Sequence, residues 1–118
     1  VMRRTALFAA VMLLGAAPLS AAEGPVHTIV NVDVMPSHEA EGAQILKAYA
    51  AQARHDPAVR SVMLIRQLAP TNHFILDTSF ADEATYRRFV ESEAFRAFRS
   101  QLYPHLGSPW DERIGRDQ

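Results

Sequence analysis

The chain has 118 residues, of which 48% are hydrophobic and 21% charged, with a formal net charge of −1 and no cysteine. That is one globular domain of ordinary size. It excludes a disulfide scaffold, Cys-ligated zinc, an iron–sulfur cluster and a thiol nucleophile, and without a basic block it offers no electrostatic footprint for nucleic acid.

Residues 1–22 differ from the rest. Arg3 and Arg4 precede an apolar run from Ala6 to Ala17, followed by Pro18 and the small residues Ser20, Ala21 and Ala22. This is the order of a secretory signal peptide, with cleavage expected after Ala22. The run is too short for a membrane anchor, which needs about 20 apolar residues, so no stable anchor is expected after cleavage. Losing Arg3 and Arg4 takes the net charge from −1 to −3 for residues 23–118. The destination expected is the bacterial periplasm or the medium.

From Val26 to Val34 the residues alternate, with Val26, Thr28, Val30, Val32 and Val34 on one side and His27, Ile29, Asn31 and Asp33 on the other. Period two in β-branched residues predicts a strand. Pro36 and Ser37 end it, Ser37 is placed to cap a helix, and Glu39 and Glu41 suit that helix's positive end. The helix is expected to run to about Arg54, burying Ile45, Leu46, Tyr49, Ala50 and Ala53. Two β-rich runs follow, Val59–Leu68 and His73–Phe80, joined by a connection short enough for an antiparallel hairpin. Asp82 and Ser92 are candidate caps for two further helices, over Ala84–Val90 and then through Phe95, Phe98 and Leu102. Pro104, Gly107 and Pro109 precede a last strand, Trp110–Arg116.

The order β-α-β-β-α-β predicts an α+β, ferredoxin-like antiparallel sheet with helices on one face. The other face would be bare on a monomer. Val26, Val30 and Val62 read as too apolar for water there, so a homodimer through the open sheet face is expected.

The residues Asn72-His73-Phe74-Ile75-Leu76, Ala81-Asp82-Glu83-Ala84, Phe95 and Phe98, and Leu106-Gly107-Ser108-Pro109-Trp110-Asp111-Glu112-Arg113 resemble the antibiotic biosynthesis monooxygenase family, more narrowly its quinol monooxygenase branch. The similarity spans residues 26–116. It implies a dimeric α+β barrel and O2-dependent oxidation of phenols, anthrones or quinols without metal, haem or flavin. Such a protein must bind a small aromatic in a dry pocket, favour its deprotonated form and hold the peroxy intermediate. The absence of Cys, and of a His-x3-His or His–Glu pattern at ligand spacing, agrees with a site that uses no cofactor beyond O2 as co-substrate.

His73, in the resembling Asn-His-Phe motif, is a candidate base or substrate-orienting group; its alternative role is to close the hairpin. Asn31 is a candidate hydrogen-bond donor to the ligand, or else a polar residue of a wet or dimeric face. Arg66 suits an anion, or a cross-strand pair with Asp77. Tyr49, Tyr86, Phe80, Phe89 and Trp110 are candidate pocket walls, or plain core. His38, Glu39 and His55 read as solvated end residues and His105 as part of a helix-terminating stretch; none is given chemistry. Where family members often carry a strand Glu, a Trp and a helix His, this chain has Thr78, Phe80 and Phe89, and it keeps Ser92.

Two functions follow. One is a cofactor-independent monooxygenase acting on a quinol, anthrone or other phenol. The other is a non-catalytic dimeric binder of a small hydrophobic or aromatic ligand. A cavity ringed by His73, Asn31 and a Tyr favours the first. One lined only by Leu76, Phe80, Phe89, Phe95 and Met63 favours the second.

Overall fold

The computed structural model describes residues 24–118, so the expected signal peptide lies outside the described residues. Strand β1 (Val26–Asp33) is followed by helix α1 (Glu39–Ala53), strands β2 (Val59–Arg66) and β3 (His73–Phe80), helices α2 (Glu83–Val90) and α3 (Glu93–Leu102), and strand β4 (Asp111–Arg116). The sheet order is β2-β3-β1-β4, with antiparallel pairing throughout. The two consecutive β-α units thus interleave, which is the ferredoxin-like arrangement expected. Among the described residues no helix is long and apolar enough to cross a membrane.

Local chemistry sets the element ends. Asp82 accepts from the Thr85 N–H and Ser92 from the Phe95 N–H, so both predicted caps are formed. That hydrogen bond to the backbone holds the Asp82 carboxyl below its ordinary pKa. Ser37 does not cap α1. A short 3-10 turn, Pro36–His38, intervenes, and His38 stands at the cap position without a side-chain bond. Strand β2 stops at Arg66, two residues short of the expected end, and Leu68 is left in solvent.

Facing residues in an antiparallel pair share a side of the sheet, so the register assigns the faces. Val26, Thr28, Val30 and Val32 on β1 lie opposite Phe80, Thr78, Leu76 and Phe74 on β3. All eight are buried under the helices. This corrects the expectation for the bare side. Val26, Val30 and Val62 belong to the core beneath the helices, with Leu46, Ala50, Phe98 and Leu102. The open face instead carries Ile29, Met63 and Ile65, all exposed, around a partly buried Ile75. Alternation in the sequence revealed two faces but not which one the helices choose.

α1 approaches Val34, the residue that follows β1, very closely at Gly42. A Cβ there would lie 2.6 and 2.8 Å from the two γ-carbons of Val34, well inside normal carbon contact, so only glycine lets helix and strand meet this tightly.

Candidate functional site

Between the sheet and the helices lies a narrow hollow. Thr28, Val30, Leu76, Thr78 and Phe80 form its floor, Tyr49, Tyr86, Phe89 and Phe95 its roof, and Trp110 and Glu112 its side. Its free volume is about 10 Å³, room for a single water at most. The roof also separates it from a second hollow of about 50 Å³ lined by Tyr49, Gln52, Ala53, Asp56, Phe89, Ala94 and Phe95. Tyr49, Phe89 and Phe95 are common to both, so their rings are the partition.

The aromatic packing is continuous. Tyr49 stacks on Phe98 with ring centres 3.8 Å apart, and Phe80 meets Tyr86 at 5.5 Å and Phe89 at 5.2 Å. Phe95 lies 6.3 Å from Trp110, nearly perpendicular to it, the edge-to-face geometry that aromatic quadrupoles favour. On Trp110's ring sits the Arg99 guanidinium, 3.9 Å from the centroid. Burial lowers the pKa of Arg99, and the indole face partly offsets the lost hydration.

The polar end of the hollow is built on Glu112. Tyr86 donates its hydroxyl to one carboxylate oxygen at 3.0 Å, and the Trp110 indole N–H donates to the other at 2.9 Å. Register explains the placement. Glu112 lies across from Val30, so it points under the helices while Asp111 and Arg113 point to the open face. Both phenols resist ionisation. Burial pushes the Tyr49 pKa above the ordinary phenol range, with the Asp56 and Glu112 charges adding to it. Burial, then the charge of Glu112 and its hydrogen bond, push Tyr86 up to about 12. These hydroxyls therefore act as hydrogen-bond donors near neutral pH. Among the described residues, Glu112 is the only carboxylate lining this hollow.

The structure thus brings together Tyr49, Phe80, Tyr86, Phe89 and Trp110 and leaves the other three expected residues elsewhere. His73 lies across from Asp33 on the open face, its Nδ1 3.4 Å from an Asp33 oxygen. Asn31 occupies the same face, 3.5 Å from an Asp111 carboxylate oxygen. The sheet stands between both residues and the hollow. Arg66 pairs with Glu39 at 2.9 Å, not with Asp77, and lies over the Phe74 ring. Its partner differs from the expected one because Arg66 is opposite Phe74 on the helix side, whereas Asp77 lies opposite Ile29 and Met63 on the open face.

Neither lining foreseen for the hollow is the one observed. His73 and Asn31 are absent from it, as is Met63, yet it is not purely apolar. Glu112 joins the hollow without being among the residues expected from sequence. Its signal was the two-residue step from Trp110 in a strand of period two, which puts indole and carboxylate on the same side. Thr78, Phe80 and Phe89, the three departures from the family pattern, all line the hollow.

The model of the antibiotic biosynthesis monooxygenase family matches residues 25–101. The chain belongs to this family. No curated protein sequence matches the chain. Among solved structures, a candidate antibiotic biosynthesis monooxygenase from Caulobacter crescentus superposes with a TM-score of 0.74 at 14% identity, covering 81% of this chain and 92% of that one. Rv0793 from Mycobacterium tuberculosis gives 0.73 at 18% identity, covering 80% and 95%. SnoaB of Streptomyces nogalater, described as a cofactor-independent oxygenase, gives 0.71 at 16% identity, covering 80% and 94%. At such identities these likenesses establish the shared fold. For this antibiotic biosynthesis monooxygenase-family chain, the family match ends before Trp110 and Glu112, which complete the hollow.

Proposed function

We propose that this protein is a monooxygenase that oxidises a quinol, anthrone or other phenol with O2 and no resident cofactor, the reaction being centred on Glu112. The observation that carries the reading is a carboxylate set into an aromatic-walled hollow and held by one phenol and one indole N–H. Family membership supports the monooxygenase role.

In this reading a substrate hydroxyl displaces that of Tyr86 on Glu112, which accepts its proton. The hydroxyls of Tyr86 and Tyr49 and the Trp110 N–H then face the phenolate as donors. The electron-rich ring carbon gives an electron to O2, and recombination forms a C–O bond to a peroxide. O–O cleavage leaves a carbonyl on the substrate and releases the other oxygen as water with two substrate hydrogens. All the electrons that O2 takes up come from the substrate, so no external reductant is required. Entry of an aromatic requires the partition of Tyr49, Phe89 and Phe95 to move and merge the two hollows.

A second reading, a non-catalytic binder of a small aromatic, is favoured by Thr78, Phe80 and Phe89 standing where relatives often carry an acid, an indole and an imidazole. Oxygen uptake with a panel of hydroquinones and anthrones, above the autoxidation blank and in the presence of a chelator, separates the two. Isotopically labelled O2 then distinguishes oxygen insertion from simple oxidation. The absence of protein-dependent uptake across the panel would favour the binder.

The exposed Ile29, Met63 and Ile65 support a homodimer in which a second copy covers the open sheet face. The signal-like order of residues 1–22 supports export to the periplasm or beyond.

A further inference from the structure

Outside the aromatic hollow, two histidines 67 positions apart in the chain meet. The connection from β1 to α1 carries His38, and the 3-10 turn after α3 carries His105; their Nδ1 atoms are 2.9 Å apart. Backbone bonds fix this approach. The Met35 N–H donates to the His105 carbonyl at 2.9 Å, the His38 N–H to the Met35 carbonyl at 2.8 Å, and the Gly107 N–H to the Asp33 carbonyl at 2.7 Å. Val34 and Leu106 pair as an isolated bridge beside them. Both imidazoles are partly buried.

Glu41 stands one helical turn on from His38, with a carboxylate oxygen 4.0 Å from the His105 Nδ1. Glu41's side chain is two-thirds exposed and can swing. The neighbouring carboxylate, Glu39, is already engaged by Arg66 and Thr71. The ligand atoms of His38, Glu41 and His105 all lie within 4.8 Å of one another. Two imidazole nitrogens at this distance share a single N–H, one donating and the other accepting. A cation between them satisfies both lone pairs at once.

We propose that His38, Glu41 and His105 bind a divalent transition-metal ion of the zinc type, through the two Nδ1 atoms and one carboxylate oxygen. Imidazole with carboxylate is a donor set suited to zinc, and three protein ligands leave a position open to water. Zn–N bonds of about 2.0–2.1 Å in a tetrahedral site put the two nitrogens roughly 3.3 Å apart. Opening the present 2.9 Å gap to that value needs a shift of only about 0.4 Å. The site corrects the expectation that the chain has no His–Glu pattern at ligand spacing. His38 and Glu41 do have one-turn spacing, but the third ligand is brought in only by the fold.

The test is isothermal titration of zinc sulfate into tag-free, chelator-stripped protein, with visible spectra recorded on a parallel cobalt titration. Expected are one ion per chain and cobalt bands stronger than those of the hexaaquo ion. His38→Gln and His105→Gln should each weaken binding at least about tenfold, while His55→Gln leaves it unchanged. Side-chain ¹⁵N NMR of the unaltered protein provides a readout independent of variant folding: zinc should shift both Nδ1 resonances of His38 and His105. No saturable zinc binding, or binding equally strong in both variants, would overturn the proposal. So would zinc leaving those two resonances unmoved.

Discussion

Gly42→Ala would put a methyl carbon 2.6 and 2.8 Å from the γ-carbons of Val34. Favourable carbon–carbon contact lies at about 3.5–4.0 Å, so helix and strand must part by about 1 Å or Val34 must turn. Turning is difficult, because Val34 is fully buried and a β-branched side chain has few χ1 choices. Its backbone is held too: its N–H donates to the Asn72 carbonyl at 2.9 Å, and its carbonyl accepts from the Asn72 side-chain amide at 2.7 Å. At contacts this short, overpacking costs about 2–3 kcal/mol, the upper part of the usual range, offset by the ~1 kcal/mol that alanine gains over glycine within a helix. The expected net loss is about 1–2 kcal/mol, measured as a lower midpoint in urea at unchanged slope. Val34→Ala in the same chain removes the colliding carbons, so the double variant should show a favourable coupling of at least about 0.5 kcal/mol. A Gly42→Ala protein as stable as the parent, or more stable, would refute the close approach of α1 to Val34.

Tyr49 and Tyr86 have folded pKa values above the unfolded phenol value of 10.0, so the folded state retains protons that the unfolded chain releases. Their stabilising contribution is complete below pH 10 and is lost as pH rises toward the folded values, about 12 for Tyr86. Denaturant melts across that window should show stability falling, less steeply in a Tyr49→Phe, Tyr86→Phe double variant. An identical slope in the two proteins would contradict the buried placement of these phenols. In the proposed homodimer, Met63→Glu sets a charge among Ile29, Ile65 and Ile75 on the open face and should give a monomer in light scattering where the parent gives a dimer. An unaltered dimer mass would place the interface elsewhere.

Much of the fold was legible in the sequence because local rules and packing agree. The alternation in β1, the caps Asp82 and Ser92, and the order of elements all reappear as read. The errors share one origin, which is that a local pattern does not encode its partner. Period two split β1 into two faces, but only pairing with β3 and the overlying helices shows that Val26 and Val30 point inward. Adjacency in the hairpin suggests Asp77 as a partner for Arg66, yet the register puts them on opposite sides.

The candidate site was legible in half. Tyr49, Tyr86, Phe80, Phe89 and Trp110 converge because helical and strand spacings bring large aromatics to one side. Glu112 was hidden by its neighbours: Asp111-Glu112-Arg113 reads as a solvated tail, and only the β1–β4 register turns the middle carboxylate inward. His73 drew notice through its motif, and the fold pairs it with Asp33 away from the hollow. Nothing local marks His105 as the neighbour of His38.

The most direct measurement is oxygen uptake with hydroquinones and anthrones by the parent protein and by Glu112→Gln, with a chelator present and autoxidation subtracted. Glutamine keeps the shape and can still accept from Tyr86 or Trp110, but it cannot take a proton from a phenol. We expect saturable uptake by the parent and a loss of at least about a hundredfold in turnover in the variant, the scale of general-base catalysis, with its fold and substrate binding retained. Equal turnover in the two proteins would contradict the role of Glu112, and uptake by neither would leave an aromatic-binding protein in place of an enzyme.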